Sequence, residues 1–314
     1  MYARVKHGVK TAALSVLRHR VGLRNTLLHA AAERGRCLVL CYHRVAPDSG
    51  RPQVVEPIPP ARFAEQMRAL KEAGDIVSLS RVLSFPVSYR RPAFAVTFDD
   101  DDPSHVRYAL PILRELGISA TFLLSGRSLH GLGPYWWTLL EQSVEEMGLE
   151  ATSRMLGHRG RTIRELTRAC RRAGTVKELS PRVTPPVMEA GEVRTLAEAG
   201  MTIGFHTVRH AALPGLVDAE LDRALTEGRD ALSSAAGRAV EFLAYPYGRA
   251  DARVTRAARR AGYTAAFATG NRPMTRHSDR FLIGRWQPGA LNAEELVAEA
   301  ALRLTMAGAA PREG

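Results

Sequence analysis

Seven short apolar runs recur between Cys37 and Arg285 and limit the architectures open to this chain: Cys37 to Tyr42, Ala93 to Phe98, Ala120 to Leu124, Met201 to Phe205, Glu241 to Tyr245, Thr264 to Ala268 and Phe281 to Arg285. Each has the length of a single β-strand, and longer stretches of helical character separate them. Phe63, Met67 and Leu70 mark one helix, and Val106, Leu110, Leu113 and Leu116 mark another, closed by Gly117. Leu221, Leu225 and Leu232 fall in a third, and Val254 to Ala261 form a fourth. Strands alternating with helices predict an α/β architecture with a largely parallel sheet or barrel.

One span breaks the rhythm. From Arg127 to Ala190 strand signals are few, and an acidic stretch, Glu141 to Glu150, precedes a basic one, Arg154 to Arg172. We read residues 127–190 as a helical insertion that shapes the substrate groove. Tyr135, Trp136 and Trp137 at its start suit two readings, stacking on a sugar ring or forming the insertion's own core. The Pro-rich segment Arg51 to Pro60 reads as an extended loop. The domain plan is a basic helical segment over 1–36, a main domain over 37–290 and a C-terminal helix and tail over 291–314.

The 314 residues, 45% of them hydrophobic, suffice for a packed core. Cys37, Cys41 and Cys170 are odd in number and form no Cys-x-x-Cys pair, so they read as buried apolar residues. The net charge of +12 is concentrated at the N-terminus, where 1–36 holds eight Lys or Arg against the single acid Glu33. Arg18, His19, Arg20 and Arg24 interrupt the apolar stretch that a cleavable signal would need, and no run is long enough to span a bilayer. A cytoplasmic enzyme is the expectation. Leu14, Leu17, Val21 and Leu28, set among Lys10, Arg18 and Arg24, suit a helix lying on the anionic inner face of a membrane; packing on the domain is the plainer reading. Basic residues without interleaved aromatics or a recognised binding motif argue against nucleic acid as partner.

Three motifs stand at strand ends. In Thr97-Phe98-Asp99-Asp100-Asp101-Asp102, four adjacent carboxylates repel one another and call for a cation, a cationic side chain or solvent. Alone, they would equally form a solvated turn capping the helix from Ser104. Asp99 and Asp100, adjacent on an extended chain, point in opposite directions and suit different tasks. In His206-Thr207-Val208-Arg209-His210, imidazoles four apart can meet one metal if the chain turns between them. Two imidazoles and one carboxylate leave a position for water, as in a hydrolytic rather than a structural zinc site. In Ala244-Tyr245-Pro246-Tyr247-Gly248, a tight turn can aim the Tyr247 N–H into a pocket, although a Pro-Tyr-Gly turn is ordinary by itself.

In this order, the motifs resemble the polysaccharide deacetylase family, also called carbohydrate esterase family four, from about Cys37 to Arg285. Leu40-Cys41-Tyr42-His43-Arg44-Val45, Ala120-Thr121-Phe122-Leu123 and Gly262-Tyr263 add to the likeness. The resemblance implies a distorted (β/α) barrel with an open site at the strand C-termini. It also implies Asp100, His206 and His210 as ligands of a divalent metal, usually zinc, and Asp99 as general base. The Tyr247 N–H would help hold the developing oxyanion. The substrate implied is an N-acetylated carbohydrate, cleaved to acetate and a free amine.

The departures from the pattern are specific. Asp101 stands where Gly is common, and Ala244 stands where an Arg often orients the catalytic Asp. The late Leu-x-His motif that supplies a general acid has no match, since Phe281 to Trp286 lacks histidine. His43 is the leading substitute, His277 the second, and His105 receives no role. Two alternatives stay open: the same hydrolysis on a small natural product or a lipid- or nucleotide-linked glycoconjugate, and a catalytically silent carbohydrate-binding relative. The sequence leaves the oligomeric state undetermined.

Overall fold

The computed structural model describes residues 13–51, 53–84, 88–158, 160–173, 179 and 186–306. The start of the basic segment, part of the insertion and the C-terminal tail, residues 1–12, 174–178, 180–185 and 307–314, lie outside the described residues.

The seven expected strands are present, with ends displaced by no more than two residues: β1 (Cys37–Tyr42), β3 (Ala93–Asp99), β4 (Thr121–Leu124), β5 (Thr202–Phe205), β6 (Phe242–Ala244), β7 (Ala265–Thr269) and β8 (Ile283–Arg285). A two-residue strand β2 (Asp75–Ile76), too short to give a periodic signal, pairs with β3. All pairings along the order β1-β3-β4-β5-β6-β7-β8 are parallel. β8 then returns to β1: the Cys41 N–H donates to Trp286 O at 2.8 Å, and the Trp286 N–H to Val39 O at 2.8 Å. The sheet thus curls into a nearly closed barrel.

The period-two alternation of each strand sorts its side chains between two cores. Cys37, Val39, Ala93, Ala95, Leu123, Ala244, Ala265, Phe267 and Ile283 pack together inside the barrel. Leu38, Leu40, Tyr42, Phe94, Val96, Phe98, Phe122 and Leu124 face the helices instead. The parity carries through to the strand ends, so Cys41, Asp99 and Arg285 lie on the inner face with Val39, Ala95 and Ile283. The three cysteines are buried and unbridged.

Outside the sheet lie α1 (Val21–Glu33), α2 (Pro60–Ala73) and, after a π-turn at His105–Ala109, α3 (Leu110–Glu115). Between β4 and β5 the chain forms α4 (Trp136–Met147), a short helix Leu149–Met155, α5 (Ile163–Ala173) and α6 (Ala190–Glu198). Leu140, Val144, Leu166, Cys170 and Leu179 make a small core of their own there. The third expected helix is two: α7 (Asp218–Thr226) ends before Gly228, and Leu232 belongs to α8 (Arg229–Ala236). Gly228 causes the break, because its φ of +86° leaves the helical region and a β-carbon there would run into Val208 and His130. α9 (Ala252–Arg260) and α10 (Ala293–Thr305) complete the layer.

Candidate active site

The strand C-termini open onto a cavity of about 490 Å³ whose lining includes His43, Asp99, Asp100, His206, His210 and Tyr247. Six of the candidates named from the sequence, all but His277, therefore share one pocket. Asp99 is the last residue of β3. Asp100 follows with φ +71°, a left-handed turn that swings its carboxylate away from the strand. Thr207 and His210 adopt φ +60° and +51°, which folds the loop after β5 back on itself.

That fold brings the imidazoles together, with His210 Nε2 and His206 Nε2 3.1 Å apart. Asp100 Oδ1 lies 3.6 Å from the first and 3.7 Å from the second, and it is a buried oxygen without a hydrogen-bond partner. His206 Nδ1 lies 2.9 Å from Ala244 O; a proton on that nitrogen would leave Nε2 as a lone-pair donor. Burial holds both imidazoles below the usual histidine range and hence neutral, the state a metal ligand requires. Burial, together with the charges of Asp99, Asp101 and Asp102, pushes the Asp100 carboxyl well up. A buried carboxylate with an orphaned oxygen, facing two neutral nitrogens, is a donor set that fits a divalent cation.

Asp99 is held differently. Burial alone would raise its pKa, but the Arg285 guanidinium pulls it well below the carboxylate range, with contacts of 2.5 Å from Nη1 to Oδ1 and 2.6 Å from Nη2 to Oδ2. Arg285 is 2% exposed. It is the residue that sequence reasoning missed: the orienting Arg comes from the end of β8 instead of the position of Ala244. Its signal was an arginine at the last position of an apolar run, in the inward parity set by Ile283.

Asp101, where Gly is common, accepts hydrogen bonds from the backbone N–H groups of Ser125 at 2.7 Å, Gly126 at 3.3 Å and Arg127 at 2.9 Å. The extra acid thus ties the loop after β4 to the turn that carries Asp100. Asp101→Ala would leave these N–H groups unpaired and is expected to cost about 2 kcal/mol or more, read as a lower urea midpoint. Asp102 pairs with Arg44, whose Nε lies 2.7 Å from Oδ2 and whose Nη1 lies 2.9 Å from Glu141 Oε2. Glu141 Oε1 in turn accepts from the N–H groups of Val54 at 2.6 Å and Val55 at 3.0 Å, strapping the chain at Val54 and Val55 onto α4 as one wall of the pocket.

The three aromatics divide their tasks. Tyr135 stacks on Trp137 with centroids 4.2 Å apart, and both make T-shaped contacts with His210. Half-buried Trp136 lines the pocket, its Nε1 3.5 Å from Tyr247 Oη. His43 lies on the pocket wall, with a ring nitrogen within 4.8 Å of an Asp99 oxygen. His105 Nε2 lies 2.6 Å from His43 O and so supports that residue's backbone. His277 is exposed, bonded to Arg276, and not part of the pocket.

Comparison with curated protein sequences finds no match. Solved structures are similar in fold. A Streptococcus pyogenes deacetylase, PplD, in complex with acetate has a TM-score of 0.60 at 17% identity, covering 84% of this chain and 98% of that one. IcaB from Ammonifex degensii has 0.58 at 20% identity, covering 85% and 97%. The BpsB deacetylase domain from Bordetella bronchiseptica has 0.53 at 15% identity, covering 80% and 97%. The family model "Polysaccharide deacetylase" matches residues 87–266. Since that match takes in more than half of the 314 residues and ends of three strands that carry the cluster, the chain belongs to the polysaccharide deacetylase family.

Proposed function

We propose that the protein hydrolyses the N-acetyl group of an amino sugar, releasing acetate and a free amine, with zinc held by Asp100, His206 and His210. The observation that carries this reading is the orphaned Asp100 oxygen facing two neutral imidazole nitrogens in the floor of an open pocket, beside a second carboxylate with its own cationic partner. An amide carbonyl is a poor electrophile. When bound, the cation polarises that carbonyl and makes a water acidic enough to attack at neutral pH.

The chain's own residues do the rest. Asp99 Oδ2 faces the cluster 3.9 Å from His206 Nε2, and the Arg285 fork keeps it ionised and aimed to take the proton of the attacking water. The turn at Tyr247 and Gly248 lines the same pocket, and the Tyr247 N–H would meet the developing oxyanion. His43 gives the leaving nitrogen its proton. Burial pushes its pKa down to about 4, so it is neutral near pH 7 and must first gain that proton; Asp99, which has taken one from the attacking water and lies within 4.8 Å, passes it on to the His43 ring.

Zinc-loaded protein is expected to release acetate from at least one member of a panel of N-acetylated oligosaccharides. Chelation should abolish the release and zinc should restore it. No acetate from any member, with one metal bound per chain, would refute the assignment.

A further inference from the structure

The N-terminal helices leave a surface that the pocket chemistry does not use. α1 and the helical segment 13–19 before it pack along α10. Arg18 pairs with Glu295 in the first turn of α10 at 2.8 Å, and Arg36 Nη1 donates to Leu304 O near its end at 2.7 Å, so the two run in the same direction. The start of α10 lies at the pocket rim: Gln287 and Gly289 line the cavity, and Gln66 Nε2 donates to Gly289 O and Leu291 O. Residues 16–24 therefore sit at the mouth end of the barrel.

The apolar residues here divide between two sides. Leu17 and Leu28 are buried against the body. Val16, Val21 and Leu23 point outward, 45%, 52% and 44% exposed, and they are three of the seven large apolar side chains exposed among the described residues. Exposed His19 and Arg20 and half-buried Arg24 lie among them. The nearby acid Glu295 is already paired with Arg18. In sequence, Arg4, Lys6 and Lys10 come immediately before.

We propose that this surface docks the protein on an anionic lipid bilayer, with the pocket mouth at the membrane end of the molecule. Apolar side chains of this size enter the boundary between headgroups and acyl chains, while arginines beside them meet lipid phosphates. A second copy of the chain fits less well, because a two-fold contact here would set Arg20 and Arg24 against their own copies.

Flotation of the full chain with vesicles tests the surface without substrate, and so independently of the catalytic reading. Vesicles of phosphatidylcholine with about 30% phosphatidylglycerol should carry the protein up, and phosphatidylcholine alone should not. Val21→Glu/Leu23→Glu should weaken binding at least about 10-fold, with an unchanged melting temperature and unchanged acetate release from soluble substrate. Val217→Glu, at an exposed valine elsewhere, should bind like wild type. Failure to float with anionic vesicles, equal binding to neutral ones, or loss of a dimer in the double variant would overturn the proposal. Anionic binding that survives the double variant would assign adhesion to residues before 13 and overturn it as well.

Discussion

Asp99→Asn is expected to lower turnover by about 10²- to 10⁴-fold, the range for removing a positioned general base. Bound zinc should remain at one per chain, because the ligating atoms assigned to Asp100, His206 and His210 are untouched. The amide keeps the shape of the carboxylate and can still accept from Arg285, but it cannot take a proton from water. Steady-state acetate release and metal content on the same preparation check both halves. Full activity in the variant, or loss of the metal with the activity, would contradict the division of labour between the two adjacent acids.

Arg285→Met should act on the fold and the reaction together. Methionine fills much of the arginine's volume but leaves Asp99 as a buried anion without its partner, for which about 3–5 kcal/mol of lost stability is expected. Arg285→Lys, which keeps a charge without the two-pronged geometry, should fall between variant and wild type. The pH dependence follows from the direction of the Asp99 shift. Arg285 holds the folded-state pKa below its unfolded value of about 4, so the pair's stabilisation is fully present above that value and is lost as the pH falls through the folded pKa. Without Arg285, burial raises the folded-state pKa of Asp99, so the gap in unfolding free energy between wild type and Arg285→Met should be widest at high pH and narrow as the pH falls, first through that raised pKa and then toward the depressed one of wild type. Denaturant melts across this range would show it, and a gap independent of pH would mean that the loss comes from packing alone.

The sequence was most legible where burial imposes a pattern. Two-sided burial makes a parallel strand apolar along its length, so the seven long strands could be read within two residues, whereas the two-residue β2 offered no period. Asp100, His206 and His210 were legible as a candidate cluster because each lies in the loop directly after a strand. Their convergence was not: it depends on positive φ at Asp100, Thr207 and His210, none of which is glycine. The arginine is expected two residues before Pro246, at the position of Ala244, whereas Arg285 ends an apolar run without a motif around it. The single span assumed for Leu221 to Leu232 failed for a local reason, since one left-handed glycine outweighs a regular leucine spacing.

The return of β8 to β1 bears on how the centre comes into being. Asp99 and Arg285 are separated by 186 positions along the chain and meet only once the sheet has curled shut. A fragment ending before Arg285 would contain every proposed metal ligand and yet leave its base unmoored, so capacity to bind zinc and capacity to turn over substrate should emerge at different stages of folding. A contact that distant in sequence also forms slowly. Refolding followed by zinc uptake and by acetate release should then give two time courses, with catalysis the later.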